Sequence, residues 1–278
     1  MPAASCRTRG DTRPRAGRGA WCIVSAALCV GLAGCAAKRL TLPSDSGAPL
    51  PDFATVHAEL SRACSGIRTL TAELSLSGHA GEQKLRGRVL AGFERPSSMR
   101  LEGVAPFGAP AFILVARGAE ATLLLPRDQR VVRGARADEI LGALTGVALA
   151  PPDLQAILTG CVTPAPRPTG GRVHGNGWVS IDLDGGATVY AVRQGQAWQL
   201  RAARRGPWQV EYTTGGTLPA SVRLRADTPV RVDLTAAIGQ TETNVDLDAA
   251  AFSVTIPGDA TPLSLDTLRA NGPLSAAP

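Results

Sequence analysis

The fold turns on Ile140-Leu141-Gly142-Ala143-Leu144-Thr145-Gly146 and, a few residues on, Pro152-Asp153-Leu154-Gln155-Ala156-Ile157-Leu158-Thr159-Gly160. Within this stretch Ile140, Leu141 and Leu144, then Leu154, Ile157 and Leu158, recur at spacings of three and four, which puts each set on one face of a helix. Pro151-Pro152-Asp153 supplies a start, because proline in the first turn loses no intrahelical hydrogen bond, and Gly160 supplies a stop. The spacing predicts two short helices, over 137–144 and 152–158, in a chain that alternates with period two on either side of them.

Upstream, Leu70, Ala72, Leu74 and Leu76 alternate with polar neighbours, and residues 84–94, 98–104, 111–117 and 121–125 repeat the pattern between Gly, Pro or charged turns. A first helix precedes them: Phe53, Val56, Leu60, Ala63, Cys64 and Ile67 lie on one face behind Pro51-Asp52. Downstream, past a loop at 163–171, alternation resumes in 178–183, 188–193, 198–204, 208–212, 220–225 and 230–236, with a last segment around 252–256. Gly185-Gly186 and Gly215-Gly216 read as turns between these strands. The order is helix, about five strands, two helices, about six strands. Short loops between successive strands impose antiparallel pairing, so the fold class is mostly β (α+β), a strongly curved antiparallel sheet with helices on one face.

Three helices are few enough to leave part of the concave face of such a sheet open. The strand residues expected to face it are drawn from Leu74, Leu76, Leu85, Val89, Leu101, Phe112, Leu114, Leu123 and Leu125, with Leu144, Leu154, Ile157 and Leu158 opposite them on the helices. Aromatics make up only 4 % of the chain, so a cavity here is lined by aliphatic groups and suits flexible alkyl chains. The alternative is that the same residues form a packed core with no space inside.

The N-terminus has a different character. Arg7, Arg9, Arg13, Arg15 and Arg18 precede an apolar run over 21–33, which ends in Leu32-Ala33-Gly34-Cys35. A basic region, an apolar core and small residues before a cysteine are the parts of a lipoprotein signal peptide, cut before Cys35 so that its thiol carries the lipid. The run is shorter than the roughly 20 apolar residues that span a bilayer. Residues 1–34 hold five Arg and one Asp, so the formal charge of +6 falls to +2 without them, and nucleic acid is not an expected partner. Residues 35–52 then read as a lipidated cysteine on a flexible tether, 53–257 as one domain, and 258–278 as a proline-broken tail.

Once Cys6, Cys22 and Cys29 leave with the leader and Cys35 is lipidated, Cys64 and Cys161 remain. In an oxidising compartment a leftover pair is most simply a disulfide, and the alternative is two separate buried thiols. His57, His79 and His174 have no ligand spacing relative to these cysteines, so no metal is expected.

Arg100-Leu101-Glu102-Gly103-Val104-Ala105-Pro106-Phe107-Gly108 resembles the strand that runs into an x-Pro-Leu-Gly turn in the LolB-like outer-membrane lipoproteins, relatives of the periplasmic carrier LolA. The paired helices quoted above resemble that family's Leu-Thr-Gly and Leu-x-x-x-Ile-Leu-x-Gly segments. Trp208-Gln209-Val210-Glu211-Tyr212, followed by Leu218-Pro219, resembles its later Trp-x-Val-x-Tyr and Pro segment. The match is colinear from about Ile67 to Ala236. It implies a LolA/LolB-like half-barrel closed by a helical lid, around a hydrophobic cavity that takes the acyl chains of other lipoproteins. It also implies a membrane-insertion loop at Pro106, Phe107 and Gly108, with Phe107 as the protruding apolar residue. Phe on such a turn gains roughly 1.5–3 kcal/mol on entering an apolar interface, and its other possible place is inside, as a plug. The partners implied are membrane lipid, lipoprotein cargo and a periplasmic LolA-like carrier, with Ala36 after the cysteine favouring the outer membrane. This chain has fewer aromatics than the family, and its tail over 241–278 lies beyond the matched region.

No Gly-x-Ser-x-Gly surrounds a serine, and none of the three histidines sits in a catalytic motif. The expectation is therefore a monomeric, non-enzymatic envelope lipoprotein. It has no cofactor beyond the covalent lipid on Cys35 and a bound acyl chain. The competing expectation is a structural or partner-binding lipoprotein without lipid cargo.

Overall fold

A computed structural model of the chain describes residues 40–228 and 230–271, so the expected leader and cleavage site, with Cys35, lie outside the described residues. From Leu42 onward the chain forms one compact unit. Helix α1 (Phe53–Ser65) leads into six strands, β2 (Thr69–Ala80), β3 (Gln83–Glu94), β4 (Ser98–Val104), β5 (Ile113–Arg117), β6 (Glu120–Leu125) and β7 (Arg130–Ala135). Helices α2 (Ala137–Thr145) and α3 (Pro151–Thr159) follow. The chain then returns to strand in β8 (Pro168–Val173), β9 (Trp178–Leu183), β10 (Ala187–Gln194), β11 (Ala197–Arg205), β12 (Trp208–Thr214), β13 (Pro219–Ala226) and β14 (Val232–Thr243). Three short elements complete it: β1 (Ala48–Pro49), β15 (Thr261–Pro262) and α4 (Leu265–Asn271).

The helices start and stop where local chemistry directs. Glu139 Oε2 accepts from the Arg136 backbone N–H at 3.1 Å at the start of α2, satisfying a donor that the helix leaves free. Pro151 and Pro152 fill the first turn of α3, and Gly160 ends it.

The fifteen strands among the described residues belong to one sheet, in the order β1-β8-β9-β10-β11-β12-β13-β14-β2-β3-β4-β5-β6-β7-β15. Every pair is antiparallel except β15 on β7. The first run of strands moves from the sheet centre, at β2, to β7 beside one edge. The second begins at the far side with β8 and works back to β14, which pairs with β2 from Val232↔Ala80 to Thr243↔Leu70. The connection from β7 to β8 carries α2 and α3, so the helix pair crosses a face of the sheet and covers it.

The core has two parts. One joins β2–β7 to Ile140 and Leu144 of α2, and the other joins β9–β14 to Val56 of α1 and Ile157 of α3. Leu154 of α3 packs against both parts. Laid flat at about 4.8 Å per strand, this sheet would be roughly 70 Å wide. Both halves reach one helix only because the sheet curves around the lid, which is the half-barrel expected. It stays open: the two outermost strands are β1 and β15, each two residues long and each ending in proline, Pro49 and Pro262. Such short strands with a residue that lacks an N–H blunt both edges against pairing with another chain.

Several elements differ from their sequence expectation. Arg130–Ala135 is a strand although Val131 and Val132 are both buried, on opposite faces, which erases the alternation. Pro168–Val173, read as a loop for its Gly and Pro, is a strand because β9 and β1 flank it. The segment at 252–256 is no strand: a 3-10 turn at Ala249–Phe252 lays Phe252 against β4 and β5 on the outer face. There Arg100 Nη1 donates to the carbonyls of Ala251 and Ser253 at 3.3 and 3.1 Å. Leu42 and Leu50 are buried, so the domain begins within the stretch read as tether. At the other end, Leu268 of α4 is fully buried in the first core, so the tail as far as Asn271 is part of the domain.

Candidate functional site

Between the concave face and the lid lies a cavity of about 630 Å³. Ten of the expected lining residues meet there: Leu74, Leu76, Leu85, Val89, Leu101 and Phe112 from the sheet side, and Leu144, Leu154, Ile157 and Leu158 from the lid. Leu114, Leu123 and Leu125 do not line it. They are buried in the core with Ile140 of α2 and Leu268 of α4, and α4 is the helix that the sequence reading lacked. The opposite wall, Val222, Leu224, Leu234 and Ala236, comes from β13 and β14. Its alternation was legible, but only the pairing of β14 with β2 brings it to the same space.

The cavity persists because small residues interrupt the large ones on this face. Leu76 sits between Gly87 on β3 and Ala236 on β14. A Cβ built on Gly87 would meet no atom within 4 Å. Gly103 is small for the opposite reason, since a Cβ there would lie 2.6 Å from the Phe112 ring, which takes its place as part of the wall.

Strand β4 ends at Val104, paired with Arg88, and the chain then forms a loop to β5. Ala105, Pro106, Ala111 and Phe112 of this loop line the cavity. Gly108 turns the chain with a φ of 74°, which side-chain-bearing residues rarely adopt. Phe107 projects outward at 88 % exposure, so it is not a plug. Arg127, also at the lining, holds the loop from beneath: Nη2 donates to the Phe107 carbonyl at 2.7 Å and Nε to the Ala109 carbonyl at 3.3 Å. The arrangement is an apolar chamber whose rim carries one exposed aromatic ring.

Cys64 and Cys161 are joined by a disulfide that ties the last turn of α1 to the residue after the Gly160 cap of α3. Asp153 of α3 adds an ion pair to Arg205 of β11 at 2.8 Å. The lid is therefore pinned covalently to α1 and electrostatically to the sheet.

The three histidines lie away from the cavity lining. His79 is exposed on β2, and His57 is buried on α1. His174 is buried with Nδ1 2.8 Å from Asp45 Oδ1 and Nε2 2.8 Å from Ser180 Oγ. The hydrogen bond from His174 holds the Asp45 carboxyl below the usual carboxylate range. The order of groups is that of a hydrolase relay, but Ser180 is buried on β9, and the chain of bonds instead fastens the segment before β1 to the sheet. Among the described residues no group of His, Cys, Asp or Glu could hold a metal ion, and no helix is long and apolar enough to cross a membrane. A second hollow, of about 650 Å³, lies on the outer face between β2–β4 and the segment around Phe252.

An open antiparallel sheet curved around a helical lid, with an apolar chamber between them and an exposed loop at the rim, is the class of architecture that the sequence resemblance implies. No family model and no curated protein matches the chain. Among solved structures it is similar to a LolA superfamily protein from Nitrosomonas europaea, at 9 % identity and a TM-score of 0.41, over 72 % of this chain and 97 % of that one. A DUF1329 family protein from Desulfovibrio piger aligns at 12 % identity and a TM-score of 0.40, over 74 % and 97 %. LprF from Mycobacterium bovis aligns at 11 % identity and a TM-score of 0.32, over 77 % and 100 %.

Proposed function

We propose that this chain is a lipid-anchored carrier of the bacterial envelope. Held by the lipid on Cys35 at the periplasmic face of the outer membrane, it takes acyl chains of lipoproteins or lipids into its cavity and passes them to the membrane beside Phe107. A periplasmic carrier of the LolA kind is the donor that this role calls for. The observation that carries the proposal is the position of an 88 % exposed Phe on the loop that lines a 630 Å³ apolar cavity. The cavity supplies a dry site worth about 0.8 kcal/mol per buried methylene, and the ring supplies a contact with the bilayer interface.

The test is to purify the compact unit from Leu42 to Pro278 and analyse its organic extract by mass spectrometry. Acyl lipids at a defined ratio to protein are expected. A folded protein that carries no lipid and takes up none when offered would overturn the proposal.

A further inference from the structure

The sheet blunts its two outer edges with two-residue strands, yet one stretch of strand edge within it has no neighbour. Strands β2 and β3 pair along their full length, from Thr69↔Glu94 to Ala80↔Gln83. On the other side of β3, β4 pairs only from Glu94↔Ser98 to Arg88↔Val104. Beyond that point no strand lies against residues 83–87 on this side. Among the described residues no backbone hydrogen bond joins them to the loop that follows β4. That loop stands off from the strand, because Gly87 on one side and Ala105 and Pro106 on the other border the cavity, which extends between them.

The register assigns the groups on this open edge. Gly81-Glu82 is a two-residue hairpin loop, so the flanking pair, Ala80 and Gln83, bond to each other, and main-chain groups alternate in direction from there. Those of Lys84 and Arg86 point away from β2, to the side that β4 has left. Side chains alternate between the two faces. Leu85 and Gly87 face the cavity, while Lys84, Arg86 and Arg88 face the convex side, where Arg88 Nη1 donates to Glu73 Oε1 at 3.1 Å. The side chains of Lys84 and Arg86 are exposed, and neither forms an ion pair or hydrogen bond among the described residues. Of the carboxylates nearest in the register, Glu82 sits in the turn and Asp233 is held by Arg223 at 2.7 Å.

We propose that the open edge of β3 over 84–87 is a docking site for an extended, acidic segment of a partner protein, which adds to the sheet as a strand in line with β4. The main-chain groups of Lys84 and Arg86 supply the pairing, and their two cations select carboxylates on the alternate residues that share the convex face. The residues between those carboxylates face the space over Gly87 and are apolar. The same cations repel a second copy of this edge, so the occupant is a different chain. The site uses no lipid and stands apart from the carrier reading.

The experiment titrates the Leu42–Pro278 unit with two labelled peptides, acetyl-Glu-Val-Glu-Val-Glu-Val-Glu-amide and its counterpart with Lys in place of Glu, followed by fluorescence anisotropy. The acidic peptide is expected to bind on the order of tenfold more tightly, with a preference that shrinks as salt rises. In the complex the Lys84 and Arg86 amides are expected to exchange their hydrogens more slowly, as NMR reads directly. Lys84→Glu/Arg86→Glu is expected to prefer the basic peptide. Arg86→Pro removes an outward N–H and no bond to β2, and is expected to weaken binding more than Arg86→Gln does. Binding of the acidic peptide without protection of these two amides would overturn the proposal, as surface attraction alone. Equal binding of the two peptides, binding of neither, or an unchanged preference in the charge-reversed variant would overturn it too.

Discussion

Arg127 Nη2 donates to the carbonyl oxygen of Phe107 at 2.7 Å, so the most exposed large apolar side chain among the described residues stands on a fixed backbone. A loop tip that was merely loose would lose part of its interfacial gain to ordering. Here the turn is already set by Pro106, Gly108 and the arginine.

Phe107→Glu is therefore expected to fold normally, within about 0.5 kcal/mol of the parent, because the side chain touches little in the protein. Its partition into phosphatidylglycerol vesicles is expected to drop at least tenfold, in line with the roughly 1.5–3 kcal/mol of a buried Phe. Vesicle cosedimentation measures this, and unchanged partition by the folded variant would contradict the role given to the loop.

Leu268 of α4 fills the first core beside α2 and is 1 % exposed. Leu268→Ala is expected to cost about 2–5 kcal/mol in urea unfolding. A loss under about 0.5 kcal/mol would show that α4 is only loosely applied to α2.

The extent to which the sequence disclosed all this varies with how local the cause is. The two lid helices were legible because their starts, stops and apolar faces lie within nine residues each. The inner faces of β2–β6 and β9–β14 were legible from alternation. Strand β8 was not, since Pro-Thr-Gly-Gly-Arg-Val has no apolar rhythm and is strand only through its neighbours β9 and β1. The cavity lining was legible on the lid and on β2–β4. On β5 and β6 the inward leucines face packing instead of space, because α2 lies over β6 and α4, which arrives some 140 residues later, packs on α2. Arg127 at the lining left no pattern, as its place is set by the carbonyls of the Phe107 loop that it meets only in the fold.

The Cys64–Cys161 disulfide closes a loop of 97 residues that spans β2–β7 and both lid helices. Cys64→Ser is expected to cost about 2–4 kcal/mol, with the unfolded chain gaining most of the freedom. Equal stability of parent and variant in chemical denaturation, with a free thiol titratable in both, would contradict it.

Burial on α1 holds the His57 imidazole below its usual range. On acidification the unfolded chain takes up this proton first. The stability contribution is thus complete above the ordinary value of 6.5, declines as pH falls from there to the depressed folded value, and is level below that. His57→Gln is expected to flatten this part of the pH profile in urea midpoints between pH 7.5 and 5. A variant that loses as much stability over that interval as the parent would place the acid sensitivity elsewhere.

The most direct test of the central claim fills the chamber. Gly87 faces the cavity with no atom within 4 Å of a Cβ, and no positive φ prevents a larger residue there. Lipid content of Gly87→Leu, compared with the parent by mass spectrometry of organic extracts, decides whether the cavity is where the acyl chain lies. The expected result is a folded protein of equal or greater stability that has lost most of its bound lipid. Full lipid content in a folded Gly87→Leu would show that the chain is bound somewhere else, and the carrier reading of this cavity would be wrong.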